Sequence, residues 1–216
     1  MATKWIATVM AALVSMLTSG CLVYERLDTF YLDPSGGVTW SVIEKDVRSD
    51  ADSADDRQKE EADYIASVLA QNHGLARGFR LFSPTEVRTR VLRSALPYTV
   101  TTEARFSGLD VLGQRLIARL GLVGSSVMES TADGTQWTFT VRPAPSPNAA
   151  ETEDDDLHAL TRGLDRVSVA LTRGRFVAAQ GFELSPDGRL ARFVEDPNTE
   201  AKLTAGADVV LALRWK

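Results

Sequence analysis

The chain has 216 residues, of which 44% are apolar and 25% are charged, and its formal net charge is −5 at pH 7. This acidic balance argues against a nucleic-acid-binding protein, because phosphate backbones are bound through basic patches. It also argues against attachment to anionic lipid through a polybasic segment. The chain contains one cysteine, which excludes an intrachain disulfide bond.

Residues 1–20 are predicted to form a secretory signal peptide. Lys4 supplies a positive charge, and the predominantly apolar run from Trp5 to Leu17 follows it. This run is shorter than the roughly 20 apolar residues of a transmembrane helix, but it has the length of a signal-peptide core. No A-x-A-like cleavage site for an ordinary signal peptidase stands at its end. Small residues lead instead to Cys21.

The segment Leu17-Thr18-Ser19-Gly20-Cys21 resembles the lipobox of bacterial lipoproteins, in which an apolar residue and two small residues precede a cysteine. Ser19, Gly20 and Cys21 match that pattern, and Thr18 stands where the family usually has Leu. The resemblance implies cleavage before Cys21, diacylation of its thiol, for instance by palmitate, and acylation of the new amino terminus. Two or three acyl chains anchor a protein stably, whereas one chain binds only marginally.

The same resemblance implies a location in the bacterial cell envelope. Leu22 is not the Asp that often signals retention in the inner membrane, so the periplasmic face of the outer membrane is favoured. An acylated Cys21 leaves no thiol for catalysis or for a cysteine metal site. The alternative is a buried structural cysteine close to an uncleaved membrane anchor. The resemblance covers only residues 1–21 and carries no information on the domain that follows.

Lys4 is the only charged residue before Cys21, so the mature chain of 196 residues has a formal net charge of −6. A chain of this length buries a core, as one domain or as two small ones. Its first part reads as a β-hairpin, with strands LVYERLDTFYL and VTWSVIEKDV joined by the turn DPSGG. A helix follows, with Ser53 as its N-cap and acidic residues in its first turn.

That first helix has helical periodicity over residues 62–69 and ends near Asn72 to Gly74, and a short second helix covers Leu75 to Phe82. A second hairpin is predicted from EVRTRVLRS and PYTVTTEARF. The segment LDVLGQRLIARLGL then predicts a helix. Its expected buried stripe consists of Leu109, Leu112, Leu116, Ile117 and Leu120.

Two strands come next, SSVMEST and TQWTFTVRP, joined by the turn Ala132-Asp133-Gly134. Residues 143–156 form an acidic, Pro- and Ala-rich loop or linker, and a short helix is predicted from Leu157 to Gly163. Residues 166–196 read as a three-stranded meander. The final segment DVVLALRW is a strand that we expect to pair into a sheet, with one apolar face formed by Val209, Leu211, Leu213 and Trp215.

These elements predict an α+β fold of antiparallel hairpins and a meander, with two or three helices packed on one face. The expected organisation is a signal peptide (1–20), an α+β region (21–142), a linker (143–156) and a β-meander region (157–216) that completes the same domain.

Few residues are candidates for chemistry. His73 is a candidate general base or metal ligand, but we prefer to interpret it as a polar residue near a helix C-terminus, where a cation is favoured. His158 follows Asp154-Asp155-Asp156 without metal-ligand spacing. The acids at 50–56 lack the order of a calcium loop. We therefore predict no catalytic, metal or cofactor-binding residue. Carboxylates on strands, among them Glu25, Asp28 and Glu103, could in principle pair as in glycosidases, but nothing in their spacing selects two of them. A possible basic stripe for a phosphate or an acidic partner consists of Arg88, Arg90, Arg93 and Arg105, with cross-strand pairing to Glu86 and Glu103 as the simpler account.

The sequence favours a membrane-anchored, non-enzymatic binding or interaction module, with the membrane as one partner through Cys21 and an envelope protein as another. The alternative is a carrier or sensor of an apolar ligand held between sheet and helices. An unexpectedly large apolar cavity between sheet and helices would favour the carrier, whereas a filled core with an exposed apolar patch would favour a protein partner. Clustered histidines and carboxylates in one cleft would favour an enzyme.

Overall fold

A computed structural model describes residues 21–143, 155–162, 164–194, 201–202 and 205–216. The predicted signal peptide and most of the predicted linker lie outside these residues. The described chain forms helices and two mostly antiparallel sheets, which confirms the predicted α+β class.

The larger sheet has seven strands in the order β3-β4-β2-β1-β7-β10-β9. Neighbouring strands are antiparallel except β1 and β7, which are parallel. The two predicted hairpins form its first half. Its strands are β1 (Leu22–Leu32), β2 (Val38–Ser49), β3 (Glu86–Arg93), β4 (Tyr98–Phe106), β7 (Ser168–Leu171), β9 (Phe182–Leu184) and β10 (Leu190–Phe193).

The smaller sheet is antiparallel, has the strand order β5-β6-β11-β8, and includes the paired final strand that the sequence predicted. The predicted three-stranded meander at 166–196 is wrong, because β8 pairs with β11 in the smaller sheet and not with β7, β9 or β10. Burial of Phe176 against Trp215, with ring centroids 6.4 Å apart, accompanies this change of sheet. The strands are β5 (Leu122–Thr131), β6 (Gly134–Pro143), β8 (Phe176–Gln180) and β11 (Val209–Trp215).

Four α-helices are present in the described residues, together with a 3₁₀ turn at Leu164–Arg166. The N-cap prediction is confirmed, since Ser53 Oγ accepts a hydrogen bond from Asp56 N at 3.0 Å. The helices are α1 (Ala54–Leu69), α2 (Gly74–Leu81), α3 (Leu109–Arg119) and α4 (Asp155–Thr161).

The helices lie against different parts of the molecule. The first, α1, contacts β2 and β3, and α2 contacts β3 and β4, whereas α3 lies mainly against β5 of the smaller sheet. The expectation that all helices pack on one face of a sheet therefore stays a prediction. The predicted stripe of α3 is buried except for Leu120, which is 39% exposed because the helix ends at Arg119 and the chain turns at Gly121.

The core joins both sheets and is centred on Trp40. Its ring is fully buried and makes edge-to-face contacts with Phe30 of β1 at 5.1 Å and Phe79 of α2 at 5.0 Å. The same cluster continues to Trp137 and Leu213 in the smaller sheet. Strands from both sides of residues 144–154 therefore share one core.

Candidate functional site

Cys21 is exposed and stands directly before β1. Its backbone is held on both sides by Asp50, because the Cys21 N–H donates to the Asp50 carboxylate and the Cys21 carbonyl accepts from Asp50 N at 3.1 Å. The predicted lipid-attachment residue is thus fixed at one end of the larger sheet, with no linker between it and the fold.

A groove of about 790 Å³ runs along the first part of β1. Strand β7 pairs with β1 only over Thr29–Leu32, and the groove follows β1 on from there toward Cys21. We call it the β1 groove. Its lining residues are Leu22–Thr29, Arg162, Arg166 and Ser168.

The β1 groove exposes a strand edge as well as side chains. Thr172 N donates to the Leu32 carbonyl at 3.0 Å, so the backbone groups of Leu32 point toward the β7 side of the strand. Along a strand, the N–H and C=O groups of successive residues point to opposite edges, so every second residue points to the same neighbour. The N–H and C=O of Tyr24 and the N–H of Asp28, at the same parity as Leu32, therefore point into the groove. The Asp28 C=O faces Ser168 N in the β1–β7 ladder instead.

A buried ion pair lies at the floor of the β1 groove. Arg26 Nε lies 2.6 Å from Asp28 Oδ2, and the two side chains are 8% and 1% exposed. Trp40 Nε1 donates to Asp28 Oδ1 at 2.9 Å, and Arg26 Nη2 donates to the Leu160 carbonyl of α4 at 2.6 Å. The hydrogen bonds offset the loss of hydration that burial of the two charges requires.

Glu44 extends this polar network on β2, in register with Arg26. It is 3% exposed, and Tyr64 OH donates to its Oε2 at 2.7 Å. Burial raises the pKa of the Glu44 carboxyl, and the hydrogen bond from Tyr64 opposes that shift. Burial and the Glu44 charge also raise the pKa of Tyr64 and Tyr24, so both phenols keep their protons.

His73 lies away from the β1 groove, in the turn between α1 and α2. It is 4% exposed, its Nε2 lies 2.9 Å from Thr102 Oγ1, and its Nδ1 has no hydrogen-bond partner among the described residues. Burial, with the charges of Arg77 and Arg80, lowers the His73 pKa to about 4. The ring is therefore neutral at pH 7, unlike the cation expected near a helix end.

The structure does not bring the strand carboxylates together as a catalytic pair. Glu25 points away from Asp28, on the opposite face of β1, and lies 3.5 Å from Lys45. Glu103 lies on β4, where Arg90 donates to it at 2.9 Å. Each carboxylate thus has its own basic partner.

The arginines of the possible basic stripe lie beside carboxylates on the outer face of the larger sheet. These exposed pairs contribute little stability individually, but they cancel much of the positive charge. Arg105 is opposite Glu86 in the β3–β4 register. The pairs are Arg88–Glu86 (2.5 Å), Arg90–Glu103 (2.9 Å) and Arg93–Asp46 (3.7 Å).

Among the described residues, no group of three or more His, Cys, Asp or Glu side chains is placed to hold a metal ion. Asp55 and Asp56 lie in the first turn of α1, as expected for acids at a helix N-terminus. Asp154 and the side chain of His158 lie outside the described part of the chain.

A second, apolar cavity of about 180 Å³ lies between α3 and the two sheets. It is smaller than the roughly 300–1,000 Å³ of ordinary ligand pockets, but it is comparable to a cavity of about 150 Å³ that binds benzene. Residues that line it include Phe30, Leu112, Leu116, Phe139, Phe182 and Leu211.

The sequence reading did not identify the buried network of Arg26, Asp28 and Glu44. The sequence of β1 contained a signal for it, because Arg26 and Asp28 alternate in step with Phe30 and Leu32, which lie on the core face of the strand. Charged residues on a core-facing parity indicate a buried polar cluster.

In the part of the chain that the structure describes, no helix combines the length and the apolar character needed to cross a bilayer. Comparison of the chain with protein-family models, with curated proteins and with solved structures found no match in any of the three.

Proposed function

We propose that this chain is a lipid-anchored, non-enzymatic binding module of the bacterial envelope, and that the β1 groove receives an extended segment of a partner protein. The groove of about 790 Å³ beside the edge of β1 is the observation that carries this proposal. An extended segment added there would bond to the backbone N–H and C=O of Tyr24 and to the N–H of Asp28, in the manner of strand addition. Such binding leaves little motif in a sequence.

The side chains of the β1 groove favour an acidic segment. Arg162 is exposed and lines the groove, whereas the buried Asp28 carboxylate is already bound by Arg26 and Trp40. Guanidinium groups bind carboxylates through charge-assisted hydrogen bonds. The partner class is therefore an extended protein segment that carries Asp or Glu.

The anchoring part of the proposal rests on Cys21. The lipobox-like segment ends at this residue, and the structure leaves its thiol exposed at the edge of the fold. The periplasmic face of the outer membrane is the proposed location, and Leu22 after the cysteine supports it. An anchor at residue 21 would place the β1 groove close to the membrane, within reach of envelope proteins.

Photo-crosslinking in the native host tests strand addition. Benzoylphenylalanine replaces Leu27, an exposed side chain that lines the groove, and, as a control, the exposed Arg105 on β4. We expect a discrete adduct from position 27 and none from position 105. Tyr24→Pro, which removes an N–H directed into the groove, should abolish the adduct, whereas Tyr24→Ala keeps that N–H and should preserve it.

Survival of the adduct in the Tyr24→Pro variant would contradict strand addition, because side-chain contacts alone would then suffice. Absence of any adduct from position 27 in lipidated, folded protein would contradict the assignment of the groove as the binding site.

The apolar cavity supports a second candidate function, a carrier or sensor of a small apolar ligand. About 180 Å³ accommodates a molecule near the size of one aromatic ring. Native mass spectrometry of protein purified from its host would show a bound apolar molecule at near one-to-one stoichiometry, and Leu164→Phe, which fills part of the cavity, should displace it. An unliganded protein in that measurement would contradict the carrier.

A further inference from the structure

We propose that the end of β3 and the turn that follows it, residues 92–97, contact the bilayer beside the lipidated cysteine and place Leu92 and Leu96 among the lipid headgroups. We call this segment the hairpin tip. The inference rests on the proposed anchoring through Cys21 and adds a second membrane contact to it.

The hairpin tip lies at the same end of the larger sheet as Cys21. The registers Leu22↔Ser49 and Val47↔Tyr98 place the start of β1, the end of β2 and the start of β4 side by side. The β3 strand follows as the next neighbour of β4. Three strand spacings of about 4.8 Å separate β1 from β3, so the tip lies roughly 14 Å from the anchor across the sheet.

The anchor allows this end of the sheet little distance from the membrane. No residue separates Cys21 from β1, and Asp50 fixes the Cys21 backbone through two hydrogen bonds. Acyl chains on Cys21 would leave only its own side chain as a tether. The end of the sheet that carries Cys21 therefore rests at the bilayer surface.

The hairpin tip carries apolar surface that the fold does not use. Leu92 is 55% exposed and Leu96 is 53% exposed, and neither belongs to the core cluster. Val23, at the start of β1, adds a third exposed apolar side chain at this end. Exposed leucines at a turn gain most from a neighbouring apolar phase, and the acyl region of the bilayer is the phase nearest to them.

Charge at this end of the molecule selects the lipid. Arg93 and Arg48 are basic, but Asp46, Asp50 and Asp52 lie at the same end, and the acidic first turn of α1 is close by. Carboxylates outnumber guanidinium groups, so anionic headgroups would be repelled. The contact is therefore with zwitterionic lipid and depends on the leucines.

The test tethers the protein chemically, so that it does not depend on acylation in the host. The mature chain has a single thiol, at Cys21, which couples to a maleimide lipid in phosphatidylcholine vesicles. Leu92→Trp then reports depth through quenching by dibrominated lipid. The matched control is Leu69→Trp, since Leu69 is 70% exposed at the far end of α1.

We expect bromolipid to quench the Leu92→Trp signal at least twofold more than the Leu69→Trp signal, after subtraction of the parent fluorescence. Leu96→Trp should behave like Leu92→Trp, and vesicles with anionic lipid should reduce the difference. All three positions are more than half exposed, so the substitutions spare the fold, and unchanged thermal midpoints would verify this.

Equal quenching at positions 92 and 69 in the tethered protein would overturn the hairpin-tip contact and leave the anchoring proposal standing. A Leu92→Trp signal that shifts only when envelope proteins are added, without lipid quenching, would overturn it in favour of a protein partner. Absence of acylation at Cys21 in cells would contradict the proposed anchor instead. Failure of the hairpin-tip contact and failure of the anchor are therefore distinguishable.

Discussion

The buried ring of His73 makes the stability of the fold depend on pH. Its pKa lies at about 4 in the folded chain, below the ordinary value of 6.5. The unfolded chain therefore binds a proton between pH 6.5 and 4 that the folded chain does not. The stabilising contribution is complete above about pH 6.5 and is lost as the pH falls through 4.

We expect His73→Gln, which cannot be protonated, to remove this loss. Between pH 7 and 4.5 the wild-type chain should lose on the order of 2–3 kcal/mol more of its free energy of unfolding than the variant. Urea denaturation at the two pH values measures the difference. Equal losses in both proteins would show that His73 titrates normally.

Glu44 acts in the opposite direction. Burial raises its pKa above the ordinary value of 4.5, so the folded chain holds a proton that the unfolded chain releases. Its contribution to stability is complete below about pH 4.5 and is lost as the pH rises through the folded pKa. Glu44→Gln keeps an oxygen that accepts from Tyr64 and cannot ionise, so it should be more stable than wild type at pH 8.

The measurement is urea denaturation at pH 5 and pH 8. The matched control is Glu25→Gln, since Glu25 is an exposed carboxylate near Lys45 on the same hairpin. If Glu44→Gln is destabilised equally at both pH values, its effect comes from packing, and the proposed ionisation penalty is absent.

The polar network beneath the β1 groove could be predicted from the sequence only in part. Side chains alternate between the two faces of β1, which places Arg26 and Asp28 on the same face as Phe30. Their burial could therefore be predicted from the sequence. The hydrogen bond from Arg26 to the Leu160 carbonyl was not, because it joins residues 134 positions apart. Contacts at that separation depend on the tertiary fold, and no local pattern encodes them.

The contact between α3 and β5 depends on a glycine. A Cβ added at Gly113 would lie 2.6 Å from Ser126 Cβ and closer still to Ser126 Oγ, which accepts from Trp137 Nε1 at 2.9 Å. Helix propensity favours Ala over Gly by about 1 kcal/mol, but overpacking costs about 1–3 kcal/mol. The difference between these two effects predicts that Gly113→Ala lowers the free energy of unfolding by up to about 2 kcal/mol.

Chemical denaturation measures this cost. Gly37→Ala is the control, because a Cβ there would meet only carbonyl oxygens at 4.0 Å, and its effect should stay within about 0.5 kcal/mol. A Gly113→Ala variant that is more stable than wild type would mean that α3 and β5 move apart without penalty.

Local signals predicted the elements better than their arrangement. Alternating apolar residues and short turns predicted the hairpins β1–β2, β3–β4 and β5–β6, because each pairs strands that are neighbours in sequence. The parallel pairing of β1 with β7 and the placement of β8 beside β11 join distant segments. Those pairings depend on how Phe30, Phe176 and Trp215 pack, and the periodic pattern of the sequence does not predict that packing.

At the scale of the whole molecule, the proposed attachment residue and the β1 groove are adjacent, because Cys21 directly precedes β1. The groove begins within one residue of Cys21, and β1 lies between β2 and β7 in the larger sheet. Lipid on Cys21 would thus orient the groove as well as locate the protein. A soluble chain would keep the groove but lose its proximity to envelope partners.

This coupling makes the Cys21→Ala variant informative. In the native host it should lose labelling by a fatty-acid analogue and move from the membrane fraction to the soluble fraction, because no acyl chain remains to hold it. Ser19→Ala keeps a small residue in the lipobox-like segment and should remain labelled. The thermal midpoint of the purified variant should match that of wild type, because Cys21 is exposed. A Cys21→Ala protein that is still labelled and membrane-bound would mean that another residue anchors the chain, and the orientation of the β1 groove would then follow from that residue instead.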